Sequence, residues 1–197
     1  MKNKKFISLF IFFIAYLWFK SFSGAVLPIH YLNEGLSQTI MMGGLVSVFL
    51  GQIVVLLIFR KLSSRVSWFL ALLVSILFLL LIIKINSSWQ YFFASALAGT
   101  SIFFYFLFYN IAYFENTAKE KIGINSALMF SASTIIGLTA PLLAGFLGQI
   151  SFNLVWIVSI LFFLPALVLV FYQQDFAISY NIKEAVSEIR ATRIFIF

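Results

Sequence analysis

Six continuous apolar runs, about 6–31, 38–59, 68–83, 89–114, 124–148 and 154–172, divide this chain, with short polar stretches between them. A bilayer core of ~30 Å takes a helix of roughly 20 apolar residues. In lipid every backbone N–H and C=O must be satisfied internally, which leaves helices or closed barrels. Barrel strands alternate apolar and polar residues. These runs do not alternate, so they predict an all-α bundle of six transmembrane helices over residues 1–172. Composition closes the soluble route. The chain is 63% hydrophobic and only 10% charged, with 26 phenylalanines and a mean hydropathy of +1.08. A water-facing domain of 197 residues would need a polar coat that these residues cannot supply.

The net charge of +7 is distributed as a topology signal rather than as a nucleic-acid surface. With the N-terminus in the cytoplasm, Lys2, Lys4, Lys5, Arg60, Lys61, Arg65, Lys119, Lys121, Lys183, Arg190 and Arg193 are all cytoplasmic, 11 of 13 basic residues. Only Lys84 falls in an outer loop, and Lys20 lies within the first span. The positive-inside rule therefore predicts a multi-pass protein of the cell membrane with both termini cytoplasmic. The N-terminal lysines, the apolar run and Ser23-Gly24-Ala25 imitate a cleavable secretory signal. Lys20 interrupts that run, which then continues past Leu27, so the segment is expected to remain as the first helix.

Several chemistries lack their residues. There is no cysteine, one histidine and six acids, none of them inside a span, so neither a metal site nor a cofactor is expected. No serine–histidine pair, paired aspartates or His-Glu-x-x-His sits in the spans, and an enzyme is not expected.

Lys20 is the most informative residue. At ~1.5 Å per residue it lies roughly 20 Å from Phe6, somewhat past the membrane centre, where a lysine costs ~2.5–3.5 kcal/mol to insert. Tyr16, Lys20, Ser23, Gly24 and Leu27 share one face, which His30 extends. A polar stripe on an apolar helix faces the bundle interior or a water-filled cavity. Lys20 would then attract an anionic group or exchange a proton. The other reading is a lysine that snorkels to the outer headgroups. His30, at the outer interface, is expected to be solvated. In the fourth span Ser101, Tyr105 and Tyr109 recur at spacing four beside Thr100 and Asn110, which reads as a polar and aromatic wall for the same cavity, the other reading of Tyr109 and Tyr113 being interfacial anchors. Lys20 is expected to face that wall within reach of Tyr105 or Tyr109. Gly43, Ser47 and Gly51 in the second span, and Ser133, Gly137, Pro141 and Gly145 with Ala140 and Ala144 in the fifth, have the spacing that lets helices approach closely. Pro141 is expected to bend the fifth.

Pro28-Ile29-His30-Tyr31-Leu32-Asn33-Glu34-Gly35-Leu36-Ser37 resembles the Pro-x-x-Tyr-Leu…Gly-Leu-Ser exit of the first helix in major facilitator superfamily transporters. The loop after the second span resembles that family's Gly-x-Leu-x-Asp-Arg-x-Gly-Arg motif. Leu62 and Arg65 match, Ser64 stands where the aspartate would be, and both glycines are replaced, so the family's gating ion pair to that aspartate is not available. Ala140-Pro141-Leu142-Leu143-Ala144-Gly145 resembles the Gly-Pro-x-x-Gly-Gly of drug and proton antiporters. The resemblance implies one half of that fold, two inverted three-helix repeats, although no repeat is evident by eye between residues 6–83 and 89–172. It also implies a central cavity between the first and fourth helices, secondary active transport or efflux of a small solute, and a second six-helix half or second copy as partner.

Residues 173–197 change character. Ile182, Val186, Ile189 and Arg193 recur at helical spacing, which predicts an amphipathic cytoplasmic helix within 173–193. Ile194 to Phe197 turn apolar, as if a seventh helix began there. The resemblance then predicts a transporter half or fragment that does not transport alone. The competing reading is a non-transporting six-helix membrane protein, or a remnant that assembles with a partner.

Overall fold

The structure, a computed structural model, describes residues 2–179. The first span is built from α1 (Lys2–Ala25) and α2 (Leu27–Asn33). The other five are α3 (Gln38–Ile58), α4 (Ser64–Ile82), α5 (Ser88–Asn116), α6 (Ile122–Ile150) and α7 (Phe152–Val170). Two three-residue strands, β1 (Lys61–Ser63) and β2 (Ala177–Ser179), and a short 3-10 turn at Lys119–Lys121 complete the described fold. Among the described residues six helices are long and apolar enough to cross a membrane, the pattern of a multi-pass membrane protein.

Local chemistry explains the helix boundaries. Ser37, Ser63, Ser87 and Ser151 are the N-caps of α3, α4, α5 and α7, and each hydroxyl accepts a backbone N–H of the first turn, from Ile40, Val66, Gln90 and Asn153. Those donors would otherwise be orphaned. The first span breaks at Val26, with Pro28 in the first turn of α2. Proline has no N–H to return to residue 24, so a continuous helix would lose a bond there. α6 runs unbroken as a helix through Pro141.

Polarity is inverted relative to a water-soluble protein. Phe49, Phe130, Leu142 and Phe146 are exposed, while Ser64, Ser67, Ser75, Ser101 and Ser159 are completely buried. Lipid makes apolar exposure favourable, and the buried serines bond to carbonyls or to one another. Ser67 donates to the Phe104 carbonyl at 2.9 Å, and Ser159 to the Val155 carbonyl at 2.7 Å.

The helices pack in a repeating plan. α5 lies against α3 and α4, α1 lies against α6 and α7, and α4–α7 and α1–α5 contacts join the two groups. Exchanging the first, second and third spans for the fourth, fifth and sixth maps these pairs onto one another. The exception is α6 on α7, which has no equally extended counterpart between α3 and α4.

α3 and α5 approach each other closely. A Cβ on Gly51 would collide with the Ala96 carbonyl, and one on Gly99 with the Val48 carbonyl. Gly44 leaves room for the Tyr91 ring, and a Cβ on Gly43 would come within 3.0 Å of Phe92. Ser47 donates to the Gly43 carbonyl of its own helix at 3.3 Å. The fifth span departs from expectation: a Cβ on Gly137 or Gly145 meets nothing within 4 Å, and Pro141 is exposed. α6 packs through the expected Ala140 and Ala144 together with Asn125, Met129 and Ile136. These recur at intervals of four or seven residues, so they form a face distinct from that of Gly137, Pro141 and Gly145.

At its described start the tail is extended. Residues 173–176 form a bend and an extended stretch, and 177–179 are a strand, not the start of a helix. β2 pairs antiparallel with β1, Leu62 opposite Ile178. The loop after α3 offers an open backbone edge there, and pairing satisfies it where a helix beginning at 173 could not. The rest of the predicted amphipathic helix, and Ile194 to Phe197, lie outside the described residues.

Candidate functional site

Mid-bundle, α1 and α5 run antiparallel with aromatic side chains in register. Phe6 meets Tyr113, Phe13 stacks on Tyr109 at 5.0 Å, and Tyr16 stacks on Tyr105 at 3.4 Å with planes 5° apart. Tyr16 and Tyr105 are fully buried, and neither hydroxyl has a hydrogen-bond partner among the described residues. A buried unpaired hydroxyl costs roughly 1–3 kcal/mol, so two together are an unusual expense for a bundle this well packed. The Tyr16 hydroxyl lies beside Ser101 without reaching hydrogen-bond geometry. Ser101 is itself engaged, donating to the Ala71 carbonyl at 2.9 Å with the Ser75 hydroxyl 2.5 Å away. Tyr109 is satisfied by the Met129 sulfur at 2.8 Å, and Tyr113 by Ser126 at 2.6 Å.

Lys20 lies one turn beyond Tyr16 on α1 and is partly buried. Its Nζ stands 5.9 Å from the centre of the Phe78 ring on α4 and has no hydrogen bond or ion pair among the described residues. The expectation that it would reach Tyr105 or Tyr109 is corrected here. Those tyrosines sit level with Tyr16 and Phe13, one to two turns of ~5.4 Å nearer the N-terminal face. The ammonium instead uses the negative face of a phenyl ring, which offsets part of its desolvation. Ser23 is buried but donates to the Phe19 carbonyl of its own helix at 2.8 Å. Asn110 is exposed on α5 and does not join the cluster. The site thus has two neighbouring parts, Tyr16 and Tyr105 with Ser75 and Ser101, and, one turn further along α1, the unpaired Lys20 cation over Phe78. Chemically it is suited to an anionic or hydrogen-bond-accepting group. Sequence reasoning missed Ser75 and Phe78. The signal was there, since Ser64, Ser67, Ala71 and Ser75 trace one helical stripe of small residues.

The loop after α3 has a partner that the sequence reading did not foresee. Ser64 is fully buried. Its N–H donates to the Phe176 carbonyl at 2.8 Å, and its hydroxyl lies 3.2 Å from Oδ1 of Asp175 and accepts the Phe176 N–H at 3.1 Å. Asp175 also accepts the Arg65 N–H at 3.1 Å, while the Arg65 side chain donates to the Gln173 carbonyl at 3.2 Å. A carboxylate therefore does stand at the N-terminus of α4, brought from beyond α7 rather than supplied at position 64. Burial pushes the Asp175 carboxyl up, but the bonds from Arg65, Ser63 and Ser64 and the Arg65 charge outweigh it and hold it below its ordinary range. Leu62 lies on β1 opposite Ile178.

His30 is buried, not solvated. Its Nε2 lies 2.5 Å from the Ile82 carbonyl at the end of α4, and its ring packs on Trp156 and Phe152. Nε2 must carry the proton to donate to that carbonyl, one of those a helix end leaves unpaired. His30→Ala should lower stability by about 1–3 kcal/mol by stranding it. A melting temperature in detergent equal to that of the parent would refute this role.

Compared with protein-family models, curated proteins and solved structures, the chain finds no match.

Proposed function

We propose that the bundle is a transport unit of the major facilitator type, which carries a small solute bearing an anionic group past the Lys20 cluster by alternating access. The observation that carries this reading is the coincidence of an unpaired ammonium with two buried, unpaired tyrosine hydroxyls in the middle of the bundle. A bundle built only for stability gains nothing from leaving three donors unsatisfied in lipid. The packing plan supports it, because two equivalent groups of three helices are what inverted repeats produce. The outward small-residue line of α6, Gly137, Pro141 and Gly145, supports a partner bundle, either a second copy or a separate half.

The test is flux in liposomes of benzoate, a small aromatic anion, and of a neutral amide of the same size, with the chain reconstituted at rising protein density. Saturable benzoate uptake should be at least tenfold lower in Lys20→Met at equal folded protein. Undiminished uptake in that variant would sink the reading. The Phe78 contact favours a second reading, a non-transporting membrane subunit in which Lys20 is merely accommodated on an aromatic ring. It predicts no saturable flux at any density and an unchanged melt in Lys20→Met.

The termini are assigned to the cytoplasm of a cell-membrane protein by the charge bias. A cysteine introduced as Asn86→Cys should react with an impermeant thiol reagent added outside intact cells, and Lys61→Cys should not. Both residues are exposed, so reversed labelling would overturn the orientation.

A further inference from the structure

Two cavities at the N-terminal end of the bundle share residues. One, of about 390 Å³, is lined by Lys4, Lys5, Arg65, Asn116 and Gln173 among others, and by no acid. The other, of about 450 Å³, is an apolar groove running down between α1 and α7, walled by Ile7, Ile11, Leu169 and Tyr172. Lys4, Ser8 and Tyr172 belong to both, so the polar cavity opens into the groove.

We propose that this composite site holds an anionic glycerophospholipid, with its phosphate among Lys4, Lys5 and Arg65 and one acyl chain along the α1–α7 groove. Three cations line the polar part, and Asp175, next in the chain to the lining Gln174, spends its carboxylate on Ser64 and the Arg65 N–H. Lys5 reaches Gln174 at 2.7 Å, a neutral partner that leaves its charge uncompensated, while Arg65 donates to the Gln173 carbonyl and has Asp175 beside it. Lys4 is exposed and has no hydrogen bond or ion pair among the described residues. Ile7 and Ile11 are about half exposed, one turn apart on α1. From Lys4 to Ile11 the helix descends about 10 Å, the depth from a headgroup phosphate into the upper acyl region. A free phosphate would use the cations but has no use for the groove, and a neutral lipid would use the groove but not the cations. The combination selects a lipid that carries both. The positive-inside bias puts this end in the cytoplasmic leaflet, where basic pockets between helices meet anionic headgroups.

The site is tested by native mass spectrometry of the purified full chain in mixed micelles containing phosphatidylglycerol and phosphatidylcholine of identical acyl chains. Phosphatidylglycerol should be retained at least tenfold over phosphatidylcholine. The preference should fall at least fivefold in the double variant Lys4→Gln, Lys5→Gln, and phosphatidylglycerol retention should fall likewise in Ile7→Trp, which fills the groove without touching a charge. Both changes lie at exposed positions, and unchanged helical circular dichroism would confirm that each variant is folded. Equal retention of the two lipids would overturn the proposal. So would loss in the lysine variant with none in Ile7→Trp, together with displacement by glycerophosphoglycerol, the headgroup without chains, because that pattern describes a phosphate site and not a lipid site.

Discussion

Gly99→Leu should leave little folded, monodisperse protein in detergent. The Cβ would strike the Val48 carbonyl of α3, and a backbone atom cannot swing aside as a side-chain tip does. α3 and α5 would have to separate along one of the most extensive contacts in the bundle. Overpacking typically costs about 1–3 kcal/mol and more when backbone must move. Against a total stability of roughly 5–15 kcal/mol, a loss at or above the top of that range is large. Gly51→Leu should behave alike, since its Cβ meets the Ala96 carbonyl across the same crossing. Gly137→Leu is the control: its Cβ enters open space, and its melt and elution profile should match the parent's. Equal damage from Gly99→Leu and Gly137→Leu would show that helix propensity, and not the close crossing, sets the cost.

Ser64→Asp, which would restore the acidic residue of the transporter-type loop motif, should release the tail rather than strengthen the gate. The Ser64 hydroxyl sits 3.2 Å from the Asp175 carboxylate. A second carboxylate there places two like charges at the same helix N-terminus, and one must take up a proton or move away. Hydrogen exchange at the β1 and β2 amides should quicken at least tenfold in Ser64→Asp, and less in Ser64→Asn, which has the same size without the charge. Acidification should narrow the difference between the two. In the parent protein the Asp175 carboxyl is held below its ordinary value of 3.8. Its contribution is therefore complete above that pH and is lost only as pH falls through the lowered value, so β1–β2 protection should be flat between pH 8 and pH 5. A decline within that window would contradict the assignment to Asp175.

Both predictions turn on residues whose importance was unequally legible. Gly51 was marked by its spacing with Gly43 and Ser47. Gly99 was not, although Ser95 stands four residues before it, because what makes it matter is the Val48 carbonyl opposite it, which only the fold supplies. Asp175 looked like one polar residue in a tail. Nothing in linear order connects it to Ser64, and only the return of the chain beside β1 makes it the acid at the start of α4. His30 read as interfacial from its place near the end of the first span, yet the fold closes Trp156 and Phe152 over it.

The sequence by itself determined that this is a helical, membrane-spanning chain. Apolar runs of bilayer length, the polar breaks between them and the N-cap serines are local properties, set by desolvation of the backbone in lipid and by bonds between near neighbours. It also singled out Lys20 and Tyr16, because a charge and a hydroxyl on an apolar helix stand out without any knowledge of what they touch. Only the tertiary structure decided what they meet: Tyr16 stacked on Tyr105, Lys20 over Phe78 instead of the fourth span, and Gly137, Pro141 and Gly145 of α6 turned outward while the glycines of α3 and α5 closed on the facing helix. Those choices depend on helix rotation and on the relative height of antiparallel partners. A rotation of half a turn changes which face is buried while leaving hydropathy and length untouched, so no count along the chain can reveal it.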